Sequence, residues 1–491
     1  MTLYYVRIEG VNLDKVLSDT PQVSVQRGAS FLLRQAALDL PSCVPLSLEP
    51  ISVGASIGLY ECDTDSASDA KITEVIREWL ATHCEYKYFT FVVSTIPASE
   101  YFFQDHEQLL LACRLQQMQL PSLSLAGLDS HTSEVCGWNG ILPGNAHIKL
   151  KKEEANSILP ISQSVQTRYE AGRKLRQDFY SREAGTAFEN YKFTNDLHSL
   201  ANDSDKGQLS DKLAVFYLDG NRFGDIQRQF ADSKEKYLAF DNTLRKYLKS
   251  FLSDFLLHAK NSPDYLNPEE QLRIEILMWG GDEVLILVPA WCGLDLLTFF
   301  YEHVSHWKIE QIPLTFSAGI LFANVKTPLA QLRAYVKEEL TEHVKSEIAK
   351  NTVSNAFEYL ILESVDCPAE DIASYRKKVY GEISEYITAL SPLTSDGLRD
   401  LAELKNQLPK SQCQQLVLAI LQDDNISAFS RDTTEDVSST RRALSRFEIV
   451  SPGVEKQFDQ ITSRHFIDIT GKPIAPVWRW THFLELWDYL P

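Results

Sequence analysis

Between residues 278 and 288 two apolar, strand-forming runs meet at Gly280-Gly281-Asp282-Glu283. Met278-Trp279 before this tip and Val284–Val288 after it predict a β-hairpin that carries acid at its turn. No other feature constrains the chain so tightly. Two glycines at a tip let a bulky ligand approach the backbone closely. Adjacent carboxylates in such a place repel each other unless a cation lies between them. Hard oxygen donors of this kind suit Mg²⁺ holding a nucleotide triphosphate.

A second acidic strand end lies upstream. Leu213-Ala214-Val215-Phe216-Tyr217-Leu218 is β-rich and apolar, and runs into Asp219-Gly220-Asn221-Arg222-Phe223-Gly224-Asp225. A strand that ends in a carboxylate and a glycine turn is suited to a metal ligand with a phosphate-cradling loop behind it. An apolar-periodic helix near Ser233–Leu257 and a polar loop at Asn261–Glu270 separate the two acids. Strand, helix and hairpin in that order bring Asp219 and Asp282 onto neighbouring strands.

Asp-Gly-Asn-x-Phe-Gly, then Gly-Gly-Asp-Glu, then Leu314-Thr315-Phe316-Ser317-Ala318-Gly319-Ile320 resembles the palm of GGDEF-type nucleotidyl cyclases. The likeness is strongest to the palm of the large polymerase/cyclase subunit of type III CRISPR effector complexes. Lys326-Thr327-Pro328-Leu329, leading into a helix that ends near Val344-Lys345, fits that palm too.

The N-terminal part reads as a degenerate copy. Leu3–Gly10 parallels the strand ending at Asp219-Gly220, and a helix follows at Gly28–Leu33. Ile51–Tyr60 stands where the hairpin belongs, then a strand at Phe89–Val93 and a helix at Glu107–Gln117. At this tip Ala55-Ser56-Ile57 replace Gly-Asp-Glu, so the copy lacks the acids to hold two metals. Glu9 reads as a structural or solvated acid. The resembled subunit also packs a degenerate first palm on a catalytic second one. Its nuclease domain and zinc knuckle are not expected here: no His-Asp dipeptide occurs, and Cys136 has no neighbouring cysteine.

The expected fold class is therefore α+β: two ferredoxin-like palms, a helical linker and a helical C-terminal region. The expected domains are a degenerate palm over 1–150, a charged helical linker over 151–205, a catalytic palm over 206–365 and a helical domain over 366–491. The linker helix Ser164–Arg182 carries Arg168, Arg173, Lys174, Arg176 and Arg182. It reads as a solvated face, or else as a contact to nucleotide phosphates or guide RNA. The tail has a polar loop at Asp423–Ser439 and an aromatic final helix, Val477–Trp487, that packs on the body rather than stacking bases.

The resemblance implies nucleotidyl transfer with two Mg²⁺ ions, Mn²⁺ being able to substitute. Asp219 and Asp282 would bridge them, with the Gly220 backbone as a further ligand. Glu283 would complete a coordination shell or help deprotonate the attacking hydroxyl. Backbone N–H groups of Gly220, Asn221, Arg222 and Phe223 would hold the β- and γ-phosphates, Lys345 would reach the triphosphate, and Gly280 and Gly281 would make room for the acceptor. That acceptor is expected across the palm interface, near Gly10 and Gly54-Ala55. Diguanylate cyclases read guanine with Asn-Asp eight and nine residues after the first metal Asp; Gln227-Arg228 stand there instead, which points to ATP. The second acid is Glu283 where the type III palm has Asp.

The net charge is −19, so any nucleic-acid contact must be local or made through partners. Eight scattered cysteines without a CxxC pair read as free thiols in a reducing cytosol. No apolar run nears 18 residues, which predicts a cytoplasmic protein without a membrane span. The implied partners are ATP or other NTPs, CRISPR-type effector subunits with guide RNA, a downstream effector that senses cyclic nucleotides, and a second copy in a homo-oligomer. The alternatives are a palm scaffold with vestigial activity and a diguanylate cyclase.

Overall fold

A continuous apolar run such as Leu213–Leu218 belongs in a strand covered on both faces, and its strand is buried from end to end. The structure, a computed structural model, describes all residues except 1, 65–66, 122–133, 153–154, 351–353, 365–370, 381–388 and 423–438.

The first palm comprises β1 (Thr2–Val11), the short α1 (Asp14–Leu17), α2 (Val23–Cys43), β2 (Leu48–Val53), β3 (Ile57–Thr64), α3 (Asp69–Thr82), β4 (Thr90–Pro97) and α4 (Phe102–Gln117). Its sheet order is β2-β3-β1-β4. Alternation along β1 sends Val6 and Ile8 to one face, against Leu32, Leu33 and Ala36 of α2 and Ile72 and Ile76 of α3. Tyr5 faces the other way, toward Phe102 and Leu109 of α4.

A hairpin of β5 (Ala146–Lys152) and β6 (Ala155–Ile161) leads into α5 (Gln163–Ala184) and the short α6 (Leu197–Ala201). Residues 151–205 are thus not wholly helical: the stretch opens with a strand. The solvated-face reading of α5 is also corrected. Arg168 is 1% exposed and donates from both terminal nitrogens to Asp19 at 2.7 Å. Arg176 is buried against the Thr194 carbonyl and Glu275. Of the five cations, Arg173, Lys174 and Arg182 are exposed. The helix is buried because it crosses α2 at backbone contact. A Cβ on Gly28 would lie 1.8 Å from the Arg168 carbonyl oxygen, and one on Gly172 1.9 Å from that of Ser24. Cys136 sits in a small core with Val25, Ile161 and Val165.

The second palm follows: β7 (Lys212–Gly220), α7 (Phe223–Phe230), α8 (Lys234–Asn261), β8 (Glu275–Gly280), β9 (Glu283–Pro289), α9 (Gly293–Val304), a two-residue ladder of β10 (Lys308–Ile309) and β11 (Ile312–Pro313), β12 (Phe316–Asn324), α10 (Leu329–Ala334), a π-helical turn at Tyr335–Thr341, α11 (Glu342–Lys350) and β13 (Ala356–Ile361). Its sheet order is β13-β12-β7-β9-β8. Without β13 this matches the first palm strand for strand. Ser233 caps α8 by accepting from the Lys236 N–H. Apolar residues at 237, 240, 244, 248, 251, 252 and 255 then give α8 one buried face. Ala214, Phe216 and Leu218 pack against α8 and α9. Leu213, Val215 and Tyr217 pack against the α10–α11 segment. The rest is helical among the described residues: α12 (Ile372–Tyr380), α13 (Ser395–Gln407), α14 (Lys410–Gln422), α15 (Ser439–Val450), α16 (Val454–His465) and α17 (Pro476–Leu486). The polar loop expected at Asp423–Ser439 lies, but for Ser439, outside the described residues. The final helix is packed as expected, with Trp480 stacked on Phe458 at 3.4 Å between centroids. No helix among the described residues is long and apolar enough to cross a membrane.

Candidate active site at the tips of the second palm

Antiparallel register decides which acids meet. Asp219 pairs with Glu283 across β7 and β9, so their side chains leave the sheet on the same face. Residues Gly281 and Asp282 form a two-residue loop closed by the Gly280–Glu283 pair. The Asp282 carbonyl accepts from the Gly220 N–H at 3.1 Å, which pins the tip beside the end of β7. Three carboxylates are thereby gathered at two strand ends, on the face that α10, the π turn and α11 cover.

Each acid has its own surroundings. Lys345 on α11 lies 2.5 Å from Asp219. Lys337 on the π turn lies 3.2 Å from Glu283, which also accepts from the Tyr217 hydroxyl at 2.8 Å. Burial and the neighbouring Asp219 and Glu283 push the Asp282 carboxyl up to about 7. Burial also raises Asp219, against the pull of Lys345. Burial acts upward on Glu283 too, but Lys337 and the Tyr217 hydroxyl outweigh it and hold that carboxyl below its usual range. The cluster is short of positive charge by one cation's worth at Asp282.

The residues behind the tip do different work from that expected. The N–H groups of Gly220 and Asn221 are spent on the Asp282 and Thr315 carbonyls. The Asn221 side chain is buried, donating to Thr315 and Ser354 and accepting from Ser317 at 2.7 Å. Gly220 and Asn221 are therefore turn-builders, their N–H groups already paired within the fold. Arg222 holds a left-handed φ of 57° that turns the chain into that helix. Gly281 opens onto free space, whereas a Cβ on Gly280 would press on Ala55 of the first palm at 3.0 Å. The expected room is absent at Gly10, where a Cβ would meet Leu33 at 2.8 Å, whereas Gly54 faces open space.

Sequence reasoning missed Tyr217 and Lys337. Tyr217 is two residues before Asp219 and shares its face by strand alternation, a signal that was available. Lys337 lies in the π turn, which ordinary helical periodicity does not place.

Whether Mg²⁺ fits can be judged from these donors. Among the described residues no three His, Cys, Asp or Glu side chains close up as a metal cage. Mg²⁺ does not require one; it binds through one or two carboxylates and completes its shell with water and substrate phosphates. Oxygen donors that repel one another, Asp219 buried and Asp282 and Glu283 half-buried, fit such an ion.

Two palms stand in tandem, one with three acids at its strand ends and one with Glu9 alone. Residues 212–354 match the family model of the second palm domain of Cas10/Cmr2. In fold the whole chain is similar to solved Csm1–Csm4 cassettes. A cassette in complex with one ATP gives a TM-score of 0.51 at 12% identity, over 100% of this chain and 70% of that one. A cassette in complex with pppApApA gives 0.50 at 13%, with the same shares covered. One with cA3 gives 0.50 at 12%, again over 100% and 70%. No curated protein matches.

Proposed function

We propose that this chain is a nucleotidyl cyclase that joins nucleoside triphosphates, ATP foremost, into a cyclic oligonucleotide messenger for antiviral defence. The observation that carries the reading is the gathering of Asp219, Asp282 and Glu283 at adjoining strand tips beneath Lys337 and Lys345. The ATP, pppApApA and cA3 complexes of proteins with this fold support adenine as the base. Each step forms a bond from a 3′-hydroxyl oxygen to an α-phosphorus and breaks the bond to pyrophosphate; the closing step does the same within one strand.

Asp219, Asp282 and the Gly220 carbonyl would hold the ions. Bound Mg²⁺ would lower the pKa of the attacking hydroxyl and neutralise charge on the phosphates. Lys345 stands at Asp219 in position to turn to a triphosphate as a point charge. Glu283, restrained by Tyr217 and Lys337, orients the cluster and is available to accept the hydroxyl proton. The covered face under α10–α11 limits water around the reacting atoms. CRISPR effector subunits, guide RNA and a cyclic-nucleotide sensor belong to the same proposal as partners.

Pure protein incubated with each NTP and Mg²⁺ or Mn²⁺, with products resolved by mass, tests this. Cyclic adenylates are the expected outcome. A product containing only guanine would overturn the base, and no product from any NTP would favour a scaffold.

A further inference from the structure

A second gathering of polar side chains lies where the C-terminal helices meet the edge of the second palm. β13 ends that sheet, with β12 between it and β7. Residues of β13, α12, α14 and α17 enclose a cavity of about 310 Å³. That is room for a small ligand. None of Asp219, Asp282 and Glu283 lines it.

The cavity is short of positive charge. Glu358, Glu363, Glu485 and Asp488 line it, against Arg376 and Lys410. Three of these acids are committed. Glu358 is paired with Arg376, and the His343 Nδ1 lies 2.6 Å from it. Lys212 lies 2.5 Å from Glu363, and Lys410 lies 2.7 Å from Asp488. Glu485 differs: among the described residues no cation pairs with it, and it accepts from the Tyr359 hydroxyl at 2.6 Å.

The same hydroxyl lies 2.6 Å from the Nδ1 of His482. A hydroxyl has one proton to give. With Glu485 ionised, Tyr359 donates to the carboxylate and the His482 Nδ1–H donates to the Tyr359 oxygen. The His482 Nε2 is then a bare acceptor. His482 is 2% exposed, and this Nε2 has no hydrogen-bond partner. A buried polar atom left unpaired is costly. Burial lowers His482 to about 3, so its ring is neutral. Burial also raises the Glu485 carboxyl, against the Tyr359 hydrogen bond and the pull of Arg376. A carboxylate without a cation and an imidazole nitrogen without a donor thus share one hydroxyl.

We propose that this cavity binds a small organic cation of the polyamine class, whose N–H groups meet the Glu485 carboxylate and the His482 Nε2. An ammonium group carries donors and no acceptor, which suits two acceptors that lack partners. Tyr375 and Tyr380 add aromatic surface to the wall, and aromatic faces attract cations. The site is independent of the cyclase reading, since it uses neither the strand tips nor the contact between the palms.

Calorimetric titration of the full chain with spermidine, in buffer stripped of metal, tests this. Spermidine should bind, and Glu485→Gln, which keeps the shape and removes the charge, should weaken it by about tenfold or more, as loss of a charge-assisted bond does. Gln414, on α14, is exposed and lines the cavity. Gln414→Lys should therefore weaken binding severalfold without disturbing the fold, and Gln414→Glu should tighten it. Asp219→Asn should leave the affinity as it is. The proposal is overturned if spermidine does not bind, or if neither Glu485→Gln nor Gln414→Lys weakens it. Loss of binding in Asp219→Asn would overturn it too, because the cation would then sit among the acids of the strand tips.

Discussion

The two palms share a backbone and differ in a handful of side chains. Gly10 donates to the Ser56 carbonyl at 2.8 Å, as Gly220 donates to that of Asp282 at 3.1 Å. Glu9 pairs with Ile57 as Asp219 pairs with Glu283. The sheet orders agree, and the first hairpin closes with the Gly54 N–H donating to the Ile57 carbonyl at 2.8 Å where the second closes with the Gly280–Glu283 pair. Yet Ser56 and Ile57 stand where the second palm has Asp282 and Glu283. Glu9 turns to its neighbour Arg7 at 3.2 Å instead of to a lysine on a covering helix. The comparison teaches that strand ends and turn geometry make a platform, and that the acids with their lysines make it a candidate site. The first palm's hairpin and Arg34 lie against the tip of the second, Arg34 donating to the Trp279 carbonyl at 3.0 Å.

The largest expected difference is catalytic. Asp219→Asn should lower product formation by about a thousandfold, on the scale of losing key transition-state charge stabilisation. Glu9→Gln at the matching strand end should leave it within about twofold, the range of an ordinary surface change. Quantifying product by mass spectrometry decides it, and equal losses would mean that the first palm holds a site of its own.

The contact between palms should be nearly as sensitive. Glu275 of β8 is 3% exposed and lies 2.6 Å from Arg27 of the first palm and 2.9 Å from Arg176 of α5. Glu275→Ala leaves two buried guanidiniums without their carboxylate, at a cost of about 3 kcal/mol. A single lowered melting transition is the expected readout. An unchanged melting temperature would show that the palms do not depend on this triad.

A smaller, pH-dependent effect should single out the second palm. The folded state raises the Asp282 carboxyl from 3.8 to about 7, so the fold holds its proton more tightly than the unfolded chain does. The metal-free fold is therefore penalised as pH rises from about 4, and the penalty is complete above about 7. Asp282→Asn should stabilise the metal-free fold in EDTA at pH 8 by up to about 4 kcal/mol, seen as a higher melting temperature. The gain should shrink to less than half by pH 5, and Mg²⁺ should reverse it. Ser56→Asn, the matching change in the first palm, should show no such pH dependence. A gain that is constant with pH would refute the charge explanation.

The smallest contrast is at the glycines. Gly280 has a φ of 147° and no room beside Ala55, so Gly280→Ala should cost about 1–3 kcal/mol. Gly54, whose Cβ would meet nothing within 4 Å, should accept alanine with a change below about 0.5 kcal/mol. Equal shifts in melting temperature would break the asymmetry read between the two hairpins.

Much of this was legible in the chain. The strand at Leu213–Leu218, the acid-tipped hairpin and the replacement of Gly-Asp-Glu by Ala55-Ser56-Ile57 all follow from local residue order, because alternation and turn chemistry act over a few residues. Arg168 and Arg176 were misread because a helix does not announce what crosses it; Gly28 and Gly172 set that crossing from segments far apart. The expected phosphate cradle was misjudged at Gly220 and Asn221, since nothing local says that Asp282 and Thr315 will claim their N–H groups. Lys337 stayed hidden in a π turn.

The sequence by itself determined which strand ends carry acid and which do not, for a carboxylate needs only its own codon and a strand its own apolar pattern. It also determined that two similar units recur along one chain. Tertiary structure alone decided that Asp219 faces Glu283, that burial and these two neighbours raise the Asp282 carboxyl, and that Arg34 and Arg245 each reach the other palm's hairpin. Those facts depend on register, burial and the docking of distant segments, and distance through space is what a linear pattern does not record.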